Sequence, residues 1–466
     1  MENNLNISTQ ITQLITAEQA YHYNIVPVAF TDGTICFKAT DTSALLQQEL
    51  QILLNYSVEL KTASEIEIQQ LLASNYRKIT SRQELHFSTD FLEKIVLIAK
   101  EIGSSDIHFE PYEHSCRVRF RIDGKLKEYF IITLEEYPII VNKLKIKAGL
   151  DISEKRLPQD GRITMNNGND EFDIRVSSLP TLHGEKIVLR ILNKDANAID
   201  INKLGFTEQE LKTYLEGIKK PNGIVLISGP TGSGKTTTLY ATLKLLNDDK
   251  TNILTIEDPI EYTLEGVNQV QLKESIGLDF SSTLRTFLRQ DPDVIMVGEI
   301  RDAKTANMAI RAALTGHLVL STIHTNSAWA TISRLIDMGI PSFLIASTLN
   351  ISVAQRLVRK LCKHCKEEQQ VSKTIFPENF IIPEDLKRHY LAKGCNECYH
   401  TGYQGRKAIY EIIPIKKDLI ANIKNNDLEI DDYLASKNII GLKDNAIELI
   451  KNGTTAIEEV YALLMD

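Results

Sequence analysis

Residues Gly229-Pro230-Thr231-Gly232-Ser233-Gly234-Lys235-Thr236 combine a glycine-rich turn with a lysine and a hydroxyl at its end. That spacing suits a phosphate group. The glycines let consecutive backbone N–H groups wrap an anion, Lys235 reaches β- and γ-phosphate oxygens, and the Thr236 hydroxyl suits Mg²⁺. Thr237 completes the binding set. An apolar run, Ile224 to Ile227, leads in, and a helix-compatible stretch, Thr237 to Leu246, leads out. The helix would aim its positive end at the same anion. A chance glycine turn would lack this order of strand, loop, Lys-Thr and helix.

Hydrolysis of a bound phosphoanhydride needs positioned phosphates, neutralised charge and an oriented water. Two places supply acids. Glu299 follows the strand-like Val294 to Val297, and Glu257-Asp258 follow Ile253 to Ile256. A carboxylate at such a strand end can reach a metal-bound water. Glu257 and Glu299 both qualify as general base, and geometry decides between them before pKa does. The plainer alternatives are a solvated loop acid at 299 and a cap on the Pro259 turn at 257. His324 ends the apolar Leu318 to Ile323 and on its own reads as a core or turn residue. His317, in Thr315-Gly316-His317, divides evenly between a site role and packing.

Cys362-Lys363-His364-Cys365 and Cys395-Asn396-Glu397-Cys398 are two C-x-x-C pairs. Together they can give a tetrahedral, structural Cys₄ zinc site (Zn²⁺) with no open position. Gly394 and Gly402 suit tight knuckle turns, and neither pair sits in the βαβ context of a redox motif. His364 and His400 are spare donors. Cys36 and Cys116 lie in apolar, strand-like stretches and read as buried thiols.

The elements that must hold these groups follow from periodicity. Strand-like runs at Gly223–Ser228, Ile253–Glu257, Val294–Val297 and Leu318–Ile323 alternate with helical stretches, which predicts an α/β domain with a parallel sheet over 201–355. Residues 1–85 read as a small α/β docking module, with strands at Ile25–Phe30 and Thr34–Lys38 around Asp32-Gly33 and helices at Ser43–Leu54 and Ser64–Leu72. Residues 86–200 read as a second module: a helix at Phe91–Glu101, six short strands, and a hairpin turn at Asp123-Gly124. The basic stretch Lys143 to Lys147 reads as a solvated helix face rather than a membrane patch. The cysteine segment spans 356–410 and a helical subdomain 411–466.

Of the 466 residues 43% are apolar, and the net charge is −8. That balance argues against a nucleic-acid-coating surface. No apolar run approaches the roughly 18 residues of a membrane span, and Met1-Glu2-Asn3-Asn4 lacks signal-peptide character. A soluble, cytosolic chain is expected.

Further runs complete a pattern. Thr255 to Glu261 (TIEDPIE), Leu288 to Asp302 (LRQDPDVIMVGEIRD), Thr315-Gly316-His317 through His324-Thr325-Asn326, Ser105 to Pro111 (SDIHFEP), Leu157 to Arg162 (LPQDGR) and Gly184 to Leu192 (GEKIVLRIL) resemble the secretion ATPases. More narrowly, the chain looks like the GspE/PulE/PilB branch, densely over 86–410 and loosely before it. The resemblance implies a RecA-like ATPase domain preceded by a PAS-like α+β domain, and ATP hydrolysis with Mg²⁺ at the interfaces of a homohexamer. It implies that ring motion drives assembly of a pilus-like filament, through platform and docking proteins at the cytoplasmic face of the inner membrane. It places Glu299 in the Walker B motif, Glu257-Asp258 in the Asp box and His324 in a γ-phosphate-sensing His box. Arg175, Arg190, Arg285, Arg289 and Arg301 become candidates to stabilise charge on the transferred phosphoryl group; at least two are expected to be surface ion-pair residues instead.

Pilus-extension members often carry a longer N-terminal module with a cyclic-dinucleotide motif, and nothing in Met1 to Tyr23 resembles it, so no cyclic-di-GMP control is expected. The four cysteines disfavour the retraction-type pilus ATPases. The short N-terminal module favours type II secretion, with pilus assembly or DNA uptake as the alternative. A scaffold without turnover would require loss of Lys235, Thr236 or Glu299, and all are present. A DNA-translocating motor is disfavoured by the acidic balance and by the lack of interleaved aromatic and basic residues.

Overall fold

The computed structural model describes residues 11, 14–15, 17–31, 33–54, 56–76, 83–84, 90–167, 170–192, 199–427 and 429–465. Asp32 of the first predicted turn and most of Met1 to Tyr23 lie outside them. The chain divides into two compact units, one of residues 1–88, 111–118 and 128–139, the other of 89–110, 119–127 and 140–466.

In the first unit, α1 (Ala17–His22) precedes an antiparallel pair, β1 (Ile25–Thr31) and β2 (Thr34–Ala39). Helix α2 (Ala44–Leu54) leads to β3 (Ser57–Thr62), which adds parallel to β2, and α3 (Glu65–Asn75) follows. Ser64 caps α3 by accepting the Glu67 N–H, satisfying one of the donors a helix start leaves open. Ile25, Ile35, Phe37, Leu50 and Ile68 form the core. Cys36 and Cys116 are buried, as expected.

The second unit begins with α4 (Phe91–Glu101), whose Ile95, Val96 and Ala99 are buried. Along the chain follow strands β4 (Ser104–Pro111), β5 (Cys116–Ile122) and β6 (Lys125–Ile132), helix α5 (Tyr137–Lys147) and strands β7 (Gln159–Asn167), β8 (Asp170–Thr181) and β9 (Gly184–Leu192), of which residues 111–118 and 128–139 belong to the first unit. β9 pairs antiparallel with both β4 and β8, and β8 with β7. Alternation sets the faces: Ile107, Phe109, Ile187 and Leu189 are fully buried, while Asp106, His108 and Glu110 take the opposite side. Helix α5 departs from the expected solvated basic face. Lys145 is wholly buried, and its ammonium donates to Glu185 Oε1 and Glu154 O, each at 2.7 Å. A buried charge is tolerated because it is paired and hydrogen-bonded.

Next come α6 (Glu208–Ile218), β10 (Gly223–Ser228), α7 (Lys235–Leu246), β11 (Ile253–Glu257), β12 (Asn268–Gln271), α8 (Phe280–Phe287), β13 (Val294–Val297), α9 (Ala303–Leu314), β14 (Leu318–Ile323), α10 (Ala330–Asp337), α11 (Ser342–Thr348) and β15 (Leu349–Leu361). The hairpin β16 (Lys366–Gln370) and β17 (Arg388–Ala392), then β18 (Tyr403–Pro414) and four short helices, complete the chain. The main sheet runs β12-β11-β13-β14-β10-β15-β18, parallel except for the last pair. Its central strands are buried on both faces, which is why they read as unbroken apolar runs. Ile224 and Leu226 face one apolar cluster, Val225 and Ile227 the other. Each such side chain contributes about 1.5–3 kcal/mol on burial. The sheet extends beyond residue 355, the boundary drawn from sequence, which falls inside β15.

Candidate active site and metal centre

In a parallel sheet of this kind, ligands bind beyond the carboxyl ends of the strands. Here β10 ends at Ser228 and opens into Gly229–Thr236. β11 ends at Glu257, β13 ends two residues before Glu299, and β14 ends one residue before His324. The register aligns these ends, with Ser228 opposite Ile323 and Ile256 opposite Val297. Thr231 to Thr237, Glu257, Asp258, Glu299, Arg301 and His324 thus line one cleft of about 530 Å³.

The phosphate loop is shaped from below. Gly229 has φ +146°, and a Cβ there would meet the Gln355 carbonyl at 2.4 Å, so only glycine fits. Lys235 is mostly buried, and its ammonium donates to the carbonyls of Gly229 at 2.8 Å and Pro230 at 3.0 Å. Burial pulls that ammonium below its ordinary pKa; Glu299 opposes the shift and Arg356 adds to it.

The two candidate bases have different surroundings. Glu257 is buried and accepts from the Tyr240 hydroxyl, from Thr255 Oγ1 at 2.7 Å and from Gln269 Nε2 at 3.1 Å. Glu299 accepts from Arg301, and His324 Nε2 lies 3.5 Å from its other oxygen. Arg301 also stands 4.0 Å from Asp258. Glu299 therefore faces a cation, while Glu257 is held by neutral donors.

The other candidates divide. Arg175 on β8 donates to Glu261 Oε2 at 3.0 Å and to the Ile260 carbonyl, gripping the segment just past Asp258. Arg190 on β9 donates to Asp106 at 2.8 Å, and Arg121 lies 3.2 Å from the same carboxylate. Arg285, exposed on α8, and Arg289, exposed just past its end, pair locally, Arg289 donating to the Arg285 carbonyl at 3.3 Å. None of these four lines the cleft. His317 Nδ1 lies 2.8 Å from the Ala312 carbonyl and 3.1 Å from Thr315 Oγ1, at the end of α9; it too stands outside the cleft lining.

Sequence reasoning passed over Tyr240, Gln269, Leu357 and Arg406. Tyr240 could have been found, because it lies four residues after Thr236 and so shares its helix face. Leu357 and Arg406 reach the cleft from β15 and β18, through pairing that no local pattern announces.

At the far end of the β15–β18 pair the four cysteines converge. Their sulfurs all lie within 4.8 Å of one another, with Cys362–Cys395, Cys365–Cys398 and Cys395–Cys398 at 3.8 Å. Four sulfurs about 2.3 Å from a tetrahedral Zn²⁺ would be about 3.8 Å apart, so the residues fit the ion and not disulfides. Backbone N–H groups of Gly394, Cys395 and Gly402 point at the sulfurs at 3.2–3.3 Å, which favours thiolate. Gly402, at φ +77°, has no room for a Cβ, which would meet Ala392 at 2.6 Å.

The family described as Type II/IV secretion system protein matches residues 81–462. The type IV pilus assembly ATPase PilB of Myxococcus xanthus is 40% identical over 98% of this chain and 87% of its own. The type II secretion system protein E of Pseudomonas aeruginosa is 46% identical over 77% of this chain and 72% of its own. Among solved structures, the pilus retraction motor PilT with bound ADP aligns at a TM-score of 0.54 and 27% identity, over 79% of this chain and 95% of its own. The ATPase DotB of Legionella pneumophila shares the fold, at a TM-score of 0.61 and 20% identity over 83% and 98%. No helix among the described residues is long and apolar enough to cross a membrane. The chain belongs to the Type II/IV secretion system protein family and is an ATP hydrolase of the secretion type.

Proposed function

We propose that the chain hydrolyses ATP as a homohexamer to power pseudopilus assembly and protein export in type II secretion. The observation that carries the reading is the convergence of Gly229–Thr236, Glu257-Asp258, Glu299 and His324 on one cleft at the carboxyl edge of the sheet. Lys235 and the loop N–H groups bind the β/γ-phosphates. Thr236, Glu257 and Asp258 offer the oxygen donors that suit Mg²⁺, which when bound neutralises phosphate charge. Glu299 takes the proton of the attacking water once the nucleotide's anionic phosphates draw Arg301 away. His324 stands beside Glu299 where the γ-phosphate would arrive. Of Arg175, Arg190, Arg285 and Arg289, all outside the cleft lining, at least two are surface ion-pair residues, and those that act on the nucleotide do so across module or subunit boundaries. Zn²⁺ in the Cys₄ site is structural. Residues 1–85 dock on platform proteins at the cytoplasmic face of the inner membrane.

Type IV pilus assembly is the second reading, favoured by the M. xanthus relative, which matches nearly the whole chain. Complementation of strains lacking either ATPase separates the two.

The test of hydrolysis is ATPase rate against protein concentration, with molar mass followed by light scattering. Activity should rise as rings form and vanish in Lys235→Ala. Lys235-dependent activity independent of concentration would replace the ring mechanism with a self-sufficient subunit. A ring without turnover would sink the hydrolysis reading.

A further inference from the structure

Tyr240 lies wholly buried on α7, the helix that leaves the phosphate loop. Its hydroxyl has one proton and two lone pairs, and every one is committed. The proton goes to Glu257 Oε2. The oxygen receives the backbone N–H groups of Glu261 at 3.2 Å and Tyr262 at 3.4 Å. Gln269 closes the frame: its amide lies 3.4 Å from the same hydroxyl, donates to Glu257 Oε1 at 3.1 Å and to the Tyr262 carbonyl at 2.9 Å. The segment held on one side by Tyr240 is held on the other by Arg175, through the Ile260 carbonyl and Glu261.

We propose that Tyr240 is a positioning residue for hydrolysis: its hydroxyl fixes Glu257 at the reacting end of the cleft and ties it to the 260–262 segment that Arg175 grips from β8. The Tyr240 oxygen already receives two backbone N–H groups, so its proton is left for Glu257. The donor comes from the same helix that carries Lys235 and Thr236, so the carboxylate and the phosphate loop share one rigid support. A shift of Arg175 relative to the sheet would pull residues 260–262 and, through the shared hydroxyl, Glu257.

The inference rests on the hydrolysis reading, and the test separates the two. ATPase rates and nucleotide affinities are measured on assembled wild type, Lys235→Ala, Tyr240→Phe, Glu257→Gln and the double variant Tyr240→Phe/Glu257→Gln. Tyr240→Phe keeps the ring and removes only the hydroxyl. It should lower kcat by about tenfold to a hundredfold, the worth of a hydrogen bond to a charged group, with nucleotide Kd within about twofold. In the Glu257→Gln background the same change should cost less than about twofold, because the carboxylate that the hydroxyl positions is gone. A ring-packing tyrosine would lower both backgrounds alike. Lys235-dependent turnover that Tyr240→Phe leaves intact, or losses that multiply in the double variant, would overturn the inference alone. Absence of Lys235-dependent turnover in wild type would overturn the hydrolysis reading and this inference with it. Should Tyr240→Phe fail to assemble, Gln269→Met removes the flanking donor; a kcat-selective loss is again expected, and an unchanged kcat overturns the proposal.

Discussion

Removing zinc should melt one segment and leave the rest folded. Residues 363–401 loop out between β15 and β18, and the two sulfur pairs clamp the base of that loop. Apart from Cys398, the buried apolar side chains in that loop are Phe376, Phe380 and Leu386, which join the main apolar cluster. At about 1.5–3 kcal/mol each, they contribute about 5–9 kcal/mol. Structural zinc contributes about 10–16 kcal/mol in small metal-folded peptides, so the ion supplies the larger share. The β15–β18 ladder, from Ile351–Pro414 to Leu361–Tyr403, carries its own hydrogen bonds and persists. Chelation with limited proteolysis and metal analysis checks this. One zinc per chain should be released, and new cuts should fall within 363–401 while the sheet stays protected. Cys395→Ser should show the same cuts without chelator. Purified protein containing no zinc, or zinc loss that leaves the digestion pattern unchanged, would refute the reasoning.

Glu299→Gln should lower kcat by about 10²–10⁴-fold, the usual worth of a general base, while fluorescent-nucleotide titration shows intact binding; normal turnover would move the base to Glu257. Glu185→Ala should cost about 3–5 kcal/mol in urea denaturation, because it leaves the buried Lys145 charge without its carboxylate; Lys145→Met/Glu185→Leu should lie closer to wild type. His108 is buried on β4, and burial depresses its pKa from 6.5 to about 4, with Lys186 and Arg121 adding and Asp106 and Glu110 opposing. A base with a depressed folded pKa contributes stability above the unfolded value, lost as pH falls from about 6.5 to about 4, and about 3 kcal/mol in all. Denaturation midpoints measured across that window should fall in wild type and flatten in His108→Gln.

The cleft was legible in the sequence because a parallel sheet puts its chemistry in turns that follow fully buried strands. Each buried strand is an apolar run, and the residue just past it is automatically at the ligand edge, so Lys235, Glu257, Glu299 and His324 could be placed by reading where each run stops. The cysteines were legible for the same local reason, since C-x-x-C is itself a ligand geometry. Groups whose position depends on long-range pairing were not. Lys145 sits in a lysine-rich stretch, and only the approach of Glu185, forty residues later, turns a solvated face into a buried pair. Arg406 reaches the cleft because β18 lies antiparallel to β15, a pairing absent from any window of the sequence. The boundary at 355 failed to mark the sheet's end for that reason too: β15 is long, and only its first half borders β10.

Arginine placement carries the last step. Of the five arginines that the family pattern nominates, four lie outside the cleft lining, and Arg301, bound to Glu299, lies inside it with Arg406. That arrangement suits a site completed by movement, since guanidinium groups held elsewhere by Asp106, Glu261 or backbone carbonyls are available for exchange rather than committed to phosphate. Arg175 differs from the rest, because its partners Ile260 and Glu261 lie two and three residues past Asp258. With Tyr240 positioning Glu257 as proposed, a shift of the loop gripped at Ile260 and Glu261 moves Glu257 through the Tyr240 hydroxyl, so the coupling between β8 and Glu257 runs through side-chain hydrogen bonds. Weakening that grip with Arg175→Gln should therefore lower kcat through the same carboxylate as Tyr240→Phe, and the two losses should combine to less than their product. Full multiplication in steady-state rates would mean that Arg175 acts on phosphate directly.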